Sequence, residues 1–372
     1  MIYYLSNTCY SEVDIIERNP IYSEAGRQRT KYLVDKINKR INIISFGLGK
    51  NIGYFERKKI KKNNKLSIVY LNLLNIPFIR YFWSFFVLFI YLFKNLNNND
   101  KIIIYNCQYR FVIAIFLLKV KYDLDIIVEF EEFYSRETEF GKMLMNFFEK
   151  KLIKNTENFI LTNKSMLNKI NKYKNSEYNS IISFGYFNKE NVNLNINNNK
   201  KKYILYSGRY DKFSGVDILL KSINYIDKNV DIIFTGKDFE NVSLDNYNNQ
   251  YVTIINKGFL SLNKYNELLS NANICLNPIN TDYNFSENSF PSKLVKYLSF
   301  GNRIISTELD CLDQLGDLQD YIYIYNNNPQ KLGILINELL EEPFSRYKIK
   351  NRFLELAQKE EEKIKNFFEE IL

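Results

Sequence analysis

From Tyr203 onward, short apolar runs alternate with helical patterns, and each run stops at glycine, proline or a charged residue. Tyr203–Tyr206 leads into Ser207-Gly208-Arg209 and a helix from Val216. Asp231–Thr235 ends in Gly236-Lys237, Val252–Ile255 in Lys257-Gly258, and Ile274–Leu276 in Asn277-Pro278. Runs too apolar to face solvent, separated by helical patterns, point to an α/β fold with a parallel sheet. In such sheets the carboxyl ends of the strands converge on a ligand crevice, so these punctuated ends are candidate binding loops.

The stretch from Phe290 to Gly301 organises this half. Pro291 suits the first turn of a helix and Ser289 the cap before it. Leu294, Tyr297 and Leu298 fall on one face, and Gly301 suits a left-handed stop. Ile304-Ile305 then starts a strand too apolar to face solvent. At the helix N-terminus, free N–H groups, the Ser292 hydroxyl and the Lys293 ammonium are all available to an anion.

The first half alternates in the same way, with strands at Ile2–Leu5, Ile41–Ile44, Ile102–Tyr105, Ile126–Phe130, Phe159–Thr162 and Ile181–Phe184. Gly26 precedes a helical pattern with Leu33, Val34 and Ile37 on one face. Arg57–Lys62 is a basic run, read either as a solvated loop or as a patch for acidic lipid headgroups. Tyr81–Phe93 is the most hydrophobic segment but shorter than the roughly 20 residues that span a bilayer. A buried helix is preferred for it over an interfacial membrane helix. Ile126–Phe130 runs into Glu131 and Glu132, acids just past a buried strand, where open α/β sheets carry function. Residues 188–202 are Asn-rich and polar, as a linker would be. The charged stretch from Ser345, lacking Gly and Pro, reads as a helix that leaves the second domain and packs back on the first.

A chain of 372 residues with 46% hydrophobic content can build two such domains. Histidine is absent, which excludes Ser-His-Asp and Cys-His nucleophilic schemes and His-ligated metals. Cys9, Cys107, Cys275 and Cys311 form no CxxC, so they give no zinc or thioredoxin signature and read as reduced thiols of a cytoplasmic protein. A net charge of +9 favours anionic partners, and no nucleic-acid-binding signature accompanies it.

Taken in order and spacing, residues 200–310 resemble the C-terminal half of GT-B glycosyltransferases, most nearly family 4. The resemblance rests on Ser207-Gly208-Arg209 with Ser214-Gly215-Val216-Asp217, on Gly236, and on Lys257-Gly258-Phe259. Ala272–Pro278, Phe290–Gly301 and Arg303–Ser306 complete it. It implies two Rossmann-like domains facing a cleft: residues 1–190 on the acceptor side, with a returning helix at about 356–372, and residues 201–355 binding the nucleotide sugar. It also implies donor contacts at Gly208, Arg209, Lys212, Gly236, Lys257, Gly258, Phe259, Asn288, Ser292, Lys293, Leu294 and Lys296.

Three positions depart from the family. Its phosphate-binding Lys is Ser214 here, and its Glu-x7-Glu pair falls on Asn288, beside Glu287, and on Lys296. Lys296 either points to the phosphates and replaces the missing cation, the preferred reading, or is a solvated helix residue. Glu131, Glu132 and Glu287 are the candidate catalytic carboxylates.

The implied activity is metal-independent, retaining transfer of a hexosyl or N-acetylhexosaminyl group from a nucleotide-diphosphate donor, a UDP-sugar foremost. The acceptor would be a glycan or a polyprenyl-linked glycan in bacterial surface polysaccharide assembly, such as capsule or lipopolysaccharide. No further cofactor is implied, and contact with an anionic membrane is an accompanying expectation. An inverting GT-B enzyme, a nucleotide-sugar epimerase and a non-catalytic GT-B partner subunit stay open as alternatives.

Overall fold

The computed structural model describes residues 1–10, 24–47, 51–133, 138–184, 202–211, 213–237, 244–247, 249–280 and 290–372. The chain divides into two compact units. Met1–Tyr186, Asn288–Phe290 and Glu360–Leu372 make the first, and Phe187–Glu287 with Pro291–Lys359 make the second.

The first unit opens with β1 (Ile2–Ser6), α1 (Glu24–Val34) and β2 (Ile41–Ser45). It continues through β3 (Gly53–Phe55), β4 (Lys58–Lys61), β5 (Leu66–Tyr70) and β6 (Leu73–Asn75). Four strand–helix pairings follow: α2 (Ile79–Asn95), β7 (Lys101–Tyr105), α3 (Tyr109–Leu118), β8 (Asp125–Phe130), α4 (Glu139–Lys154), β9 (Asn158–Leu161), α5 (Met166–Tyr173) and β10 (Asn179–Ile182). Eight strands form one sheet in the order β10-β9-β8-β7-β1-β2-β5-β4, while β3 and β6 pair separately. Ile2 stands level with Ile41 on one side and Lys101 on the other, both in parallel register. The order reverses at β1, so the polar residues after β1 and β7 flank a topological switch point.

Side chains of α2, α3, α4 and α5 share one core with one face of this sheet. The basic run at 57–62 is not a loop, because β4 pairs antiparallel with β5 at the sheet edge. Lysines on an edge strand discourage pairing with another chain. Ile37 is buried but lies beyond the end of α1, in the turn that follows.

The expectation of a buried helix at Tyr81–Phe93 is corrected. In α2 only Ser84, Leu88 and Leu92 are fully buried. Ile79, Phe82, Phe86, Ile90 and Phe93, spaced by three and four residues, are exposed. A segment apolar all round was read as core, yet only one face of it meets the sheet.

The second unit holds β11 (Tyr203–Arg209), α6 (Val216–Ser222), β12 (Val230–Lys237), β13 (Val252–Asn256), α7 (Leu262–Asn271) and β14 (Ile274–Asn277). Then come α8 (Ser292–Ser299), β15 (Arg303–Ser306), β16 (Ile322–Ile324) and α9 (Pro329–Glu341). Its sheet is parallel throughout, in the order β13-β12-β11-β14-β15-β16. Here too the first strand sits between its successor and a later strand. The last helix, α10 (Arg346–Ile371), begins in the second unit and ends in the first.

Gly301 ends the segment after α8 with φ 70°, and a β-carbon there would meet the Arg346 carbonyl at 2.4 Å. Only glycine fits that left-handed, crowded position. All four cysteines are buried, and none forms a disulfide among the described residues. The linker assigned to 188–202 lies outside the described residues except for Lys202.

Candidate functional site

In the second unit the sequence-expected donor residues gather at the carboxyl ends of β11, β12 and β13. Gly208 and Gly236 are register partners, and a β-carbon on Gly236 would fall 1.6 Å from the Gly208 carbonyl oxygen. The Gly236 N–H and the Thr235 hydroxyl both donate to the Gly258 carbonyl, at 2.9 and 2.7 Å. Three neighbouring strands thus end in a bare backbone floor, which glycine alone allows at Gly236.

Above this floor stand two cations. Arg209 is exposed at the end of β11. Lys293, the second residue of α8, is half-buried, with its ammonium 5.0 Å from the centroid of the Tyr206 ring. Burial pushes its pKa down to about 8, and Asp211 pulls it partly back. Neither side chain has a hydrogen-bond or ion-pair partner among the described residues. Tyr206 also fixes the loop, because its hydroxyl donates to the Arg209 carbonyl at 2.8 Å. The Ser207 hydroxyl lies 2.7 Å from that of Tyr297 and 2.9 Å from that of Tyr265, tying β11 to α8 and α7.

The start of α8 differs from its expected form. Pro291 is the residue just outside the helix, not within its first turn, and Ser292 opens it. Ser289, offered as the cap, lies outside the described residues. Leu294 belongs to the core: its side chain is fully buried and its N–H already donates to the Pro291 carbonyl at 3.0 Å. Ser292 and Lys293, both half-buried, stand at the helix N-terminus.

Lys296 lies in the last turn of α8, its ammonium 4.9 Å from the Phe300 ring centroid. Its charge therefore sits toward the negative end of the helix dipole. Ser214 instead closes a tight loop, donating to the Asp211 carbonyl at 2.7 Å. Lys257 and Phe259 are exposed on either side of Gly258. Lys212, Glu287 and Asn288 lie outside the described residues.

In the first unit, Glu131 and Glu132 follow β8 as expected. Their N–H groups donate to one acceptor, Asn106 Oδ1, at 2.7 and 3.3 Å. Asn106 is buried in a left-handed conformation (φ 55°) after β7, and the Thr162 hydroxyl holds the Glu131 carbonyl at 2.7 Å. Burial pushes the Glu131 carboxyl up to about 7; Arg29 opposes the rise and Glu132 adds to it. Glu132 is raised by burial alone. A β-carbon on Gly26, near the start of α1, would meet the Tyr105 hydroxyl at 2.9 Å and Glu131 Oε2 at 3.6 Å. The carboxyl thus faces the positive end of a helix.

Beneath lies a set of residues that the sequence reading passed over. Glu129 is fully buried and accepts from Arg29 Nε at 2.6 Å and from the Tyr4 hydroxyl at 2.5 Å. Arg29 also donates to the Ser183 carbonyl at 2.6 Å. The missed signal is a lone carboxylate in the apolar run Ile126–Phe130, since a buried charge requires a partner. Among the described residues no three His, Cys, Asp or Glu side chains are grouped as metal ligands.

Solved structures share this architecture across nearly the whole chain. A sucrose-phosphate synthase from Thermosynechococcus elongatus matches with TM-score 0.71 at 13% identity, covering 98% of this chain and 96% of that one. HepE of Anabaena in complex with UDP matches with TM-score 0.64 at 12% identity, covering 98% and 97%. The chain has the GT-B fold. A third GT-B structure, a trehalose-6-phosphate synthase studied for glycosyl transfer with retention, matches with TM-score 0.64 at 10% identity, covering 99% and 97%. No protein-family model matches the sequence, and no curated protein does.

Proposed function

We propose that the chain is a glycosyltransferase that uses a nucleotide-diphosphate sugar, a UDP-sugar foremost, as donor. The observation that carries this is the pair of cations, Arg209 and Lys293, that have no hydrogen-bond or ion-pair partner among the described residues, at the glycine-floored end of β11 and the start of α8. As the glycosidic bond breaks, its electron pair passes to a diphosphate oxygen. Arg209, Lys293 and the helix N-terminus stabilise the charge that develops there. The GT-B fold of proteins bound to UDP supports the same donor class.

In this reading the acceptor is a glycan or polyprenyl-linked glycan of bacterial surface polysaccharide assembly, and transfer retains the anomeric configuration. The acceptor hydroxyl oxygen bonds to the anomeric carbon, and its proton leaves with the departing phosphate oxygen. Glu131 and Glu132 then orient the acceptor or the donor sugar and are not essential bases. No metal takes part.

One observation favours a second reading. Glu131 is a half-buried carboxyl brought to about 7, which suits a general base that takes the acceptor proton in an inverting transfer. Proton NMR of the first-formed product decides between them. Retention supports the first reading, and inversion puts Glu131 at the head of the candidate bases. Thermal-shift screening against nucleotide diphosphates tests the donor assignment itself, because a ligand of the native state raises the melting temperature. No stabilisation by any nucleotide diphosphate would overturn it.

A further inference from the structure

One face of the first unit carries residues that sugar transfer does not use. On α2, Phe82 and Phe86 are 72% and 57% exposed, and Phe93 continues the same stripe. On α4, Phe140 and Phe147 are 68% and 57% exposed, with Met143 between them. The two helices flank α3 on one side of the sheet. The ring centroids of Tyr81 and Tyr109 are 5.8 Å apart, and those of Tyr109 and Phe148 are 6.2 Å apart, so the three helices are linked edge to edge. Exposed aromatic stripes of this extent on adjacent helices mark a contact surface.

The charges beside the stripes say what kind of contact. On α2 and α4 the exposed charged residues are Lys94, Lys142, Lys150, Lys151 and Lys154, against Glu139 alone. Glu139 is already paired with Lys142 at 2.6 Å. The Lys121 ammonium sits 3.9 Å from the Phe93 ring centroid, directly beside the apolar stripe. Among the described residues no helix is long and apolar enough to cross a membrane. An apolar stripe fringed by lysines is the pattern of a helix that lies in the plane of an interface.

We propose that the α2–α4 face docks the protein on an anionic phospholipid bilayer. Its phenylalanines enter the headgroup boundary and its lysines meet the lipid phosphates. A second copy of the chain fits this face less well. A two-fold contact would set lysine fringe against lysine fringe in a chain that already carries +9. Bilayer anions neutralise the same fringe.

The test is co-sedimentation of the full chain with vesicles of phosphatidylglycerol and phosphatidylcholine, compared with phosphatidylcholine alone. Binding should require the anionic lipid and weaken as salt rises. Phe82→Ser with Phe86→Ser, and separately Phe140→Ser with Phe147→Ser, should each lower the partition coefficient by about tenfold or more. Tyr347→Ser, an equally exposed aromatic of the second unit, should leave it unchanged. Lys150→Glu with Lys151→Glu provides a second route should a phenylalanine variant misfold, and should also weaken binding. Failure to sediment at low salt, or equal binding by all variants, overturns the proposal. So does a dimer seen by light scattering that the phenylalanine variants dissolve. None of these readouts needs a donor sugar, so the proposal stands or falls apart from the assigned activity.

Discussion

A β-carbon on Gly208 would stand 2.9 Å from the Lys293 ammonium nitrogen and 2.8 Å from the Tyr206 hydroxyl oxygen. The end of β11 and the start of α8 are thus fitted to each other through the absence of one methyl group. Gly208→Ala must displace the flexible Lys293 side chain or the anchored tyrosine. We expect nucleotide-diphosphate affinity to fall by roughly 1.5–3 kcal/mol, the worth of a hydrogen bond to a charged group. Calorimetric titration checks this, with the melting temperature as control for the fold.

Lys293 also predicts a proton linkage. Its folded pKa is about 8, against 10.5 for an ordinary lysine. A bound diphosphate favours the ammonium, so binding should take up a proton between pH 8 and 10.5 and weaken as pH rises through that range. In the free protein the sign for stability is opposite to a paired lysine. The unfolded chain holds more protons across that window, so this group makes stability rise with pH. Titration in buffers of different ionisation enthalpy should show the uptake in the parent and none in Lys293→Met.

Glu131 gives the complementary case. Its folded pKa of about 7 exceeds the ordinary 4.5, so the folded state holds more protons between those values. Its contribution to stability is present below pH 4.5 and is lost as pH rises through 7. Glu131→Gln should therefore melt higher than the parent at pH 8 and no higher at pH 4. If the carboxylate serves the reaction, the rate should climb through pH 7 and the variant should lose that limb.

The buried pair Arg29–Glu129 should be structural. Arg29→Met leaves a carboxylate without its cation in the core and should cost about 3–5 kcal/mol. The double change with Glu129→Leu should cost less than the sum of its parts, because no unpaired charge remains. Denaturant titration of the four proteins measures both terms.

Much of the fold was legible because buried parallel strands are apolar and stop at punctuating residues. Tyr203–Tyr206, Val252–Ile255 and Ile274–Leu276 all fall inside observed strands. Gly208, Arg209, Gly236, Gly258 and Lys293 were legible as a set because their order follows the strand ends. Two things were not. The exposure of Phe82 and Phe86 depends on which face meets the sheet, and a helix apolar on every side gives no sign of it. Asn106 supports Glu131 from a neighbouring strand, and no spacing in the sequence links residues so far apart.

The division of α10 between the two units has a consequence for biogenesis. Ile364, Phe367, Phe368 and Ile371 are buried residues of the first unit, yet the ribosome makes them after the whole second unit. Lys36 pairs with Glu361 at 2.9 Å, and Lys101 donates to the Ile371 carbonyl at 2.8 Å, so β7 and the turn after α1 also wait for this segment. A nascent chain that has emerged only as far as residue 186 presents a sheet with one covering missing. The amino-terminal unit is thus begun first and closed last.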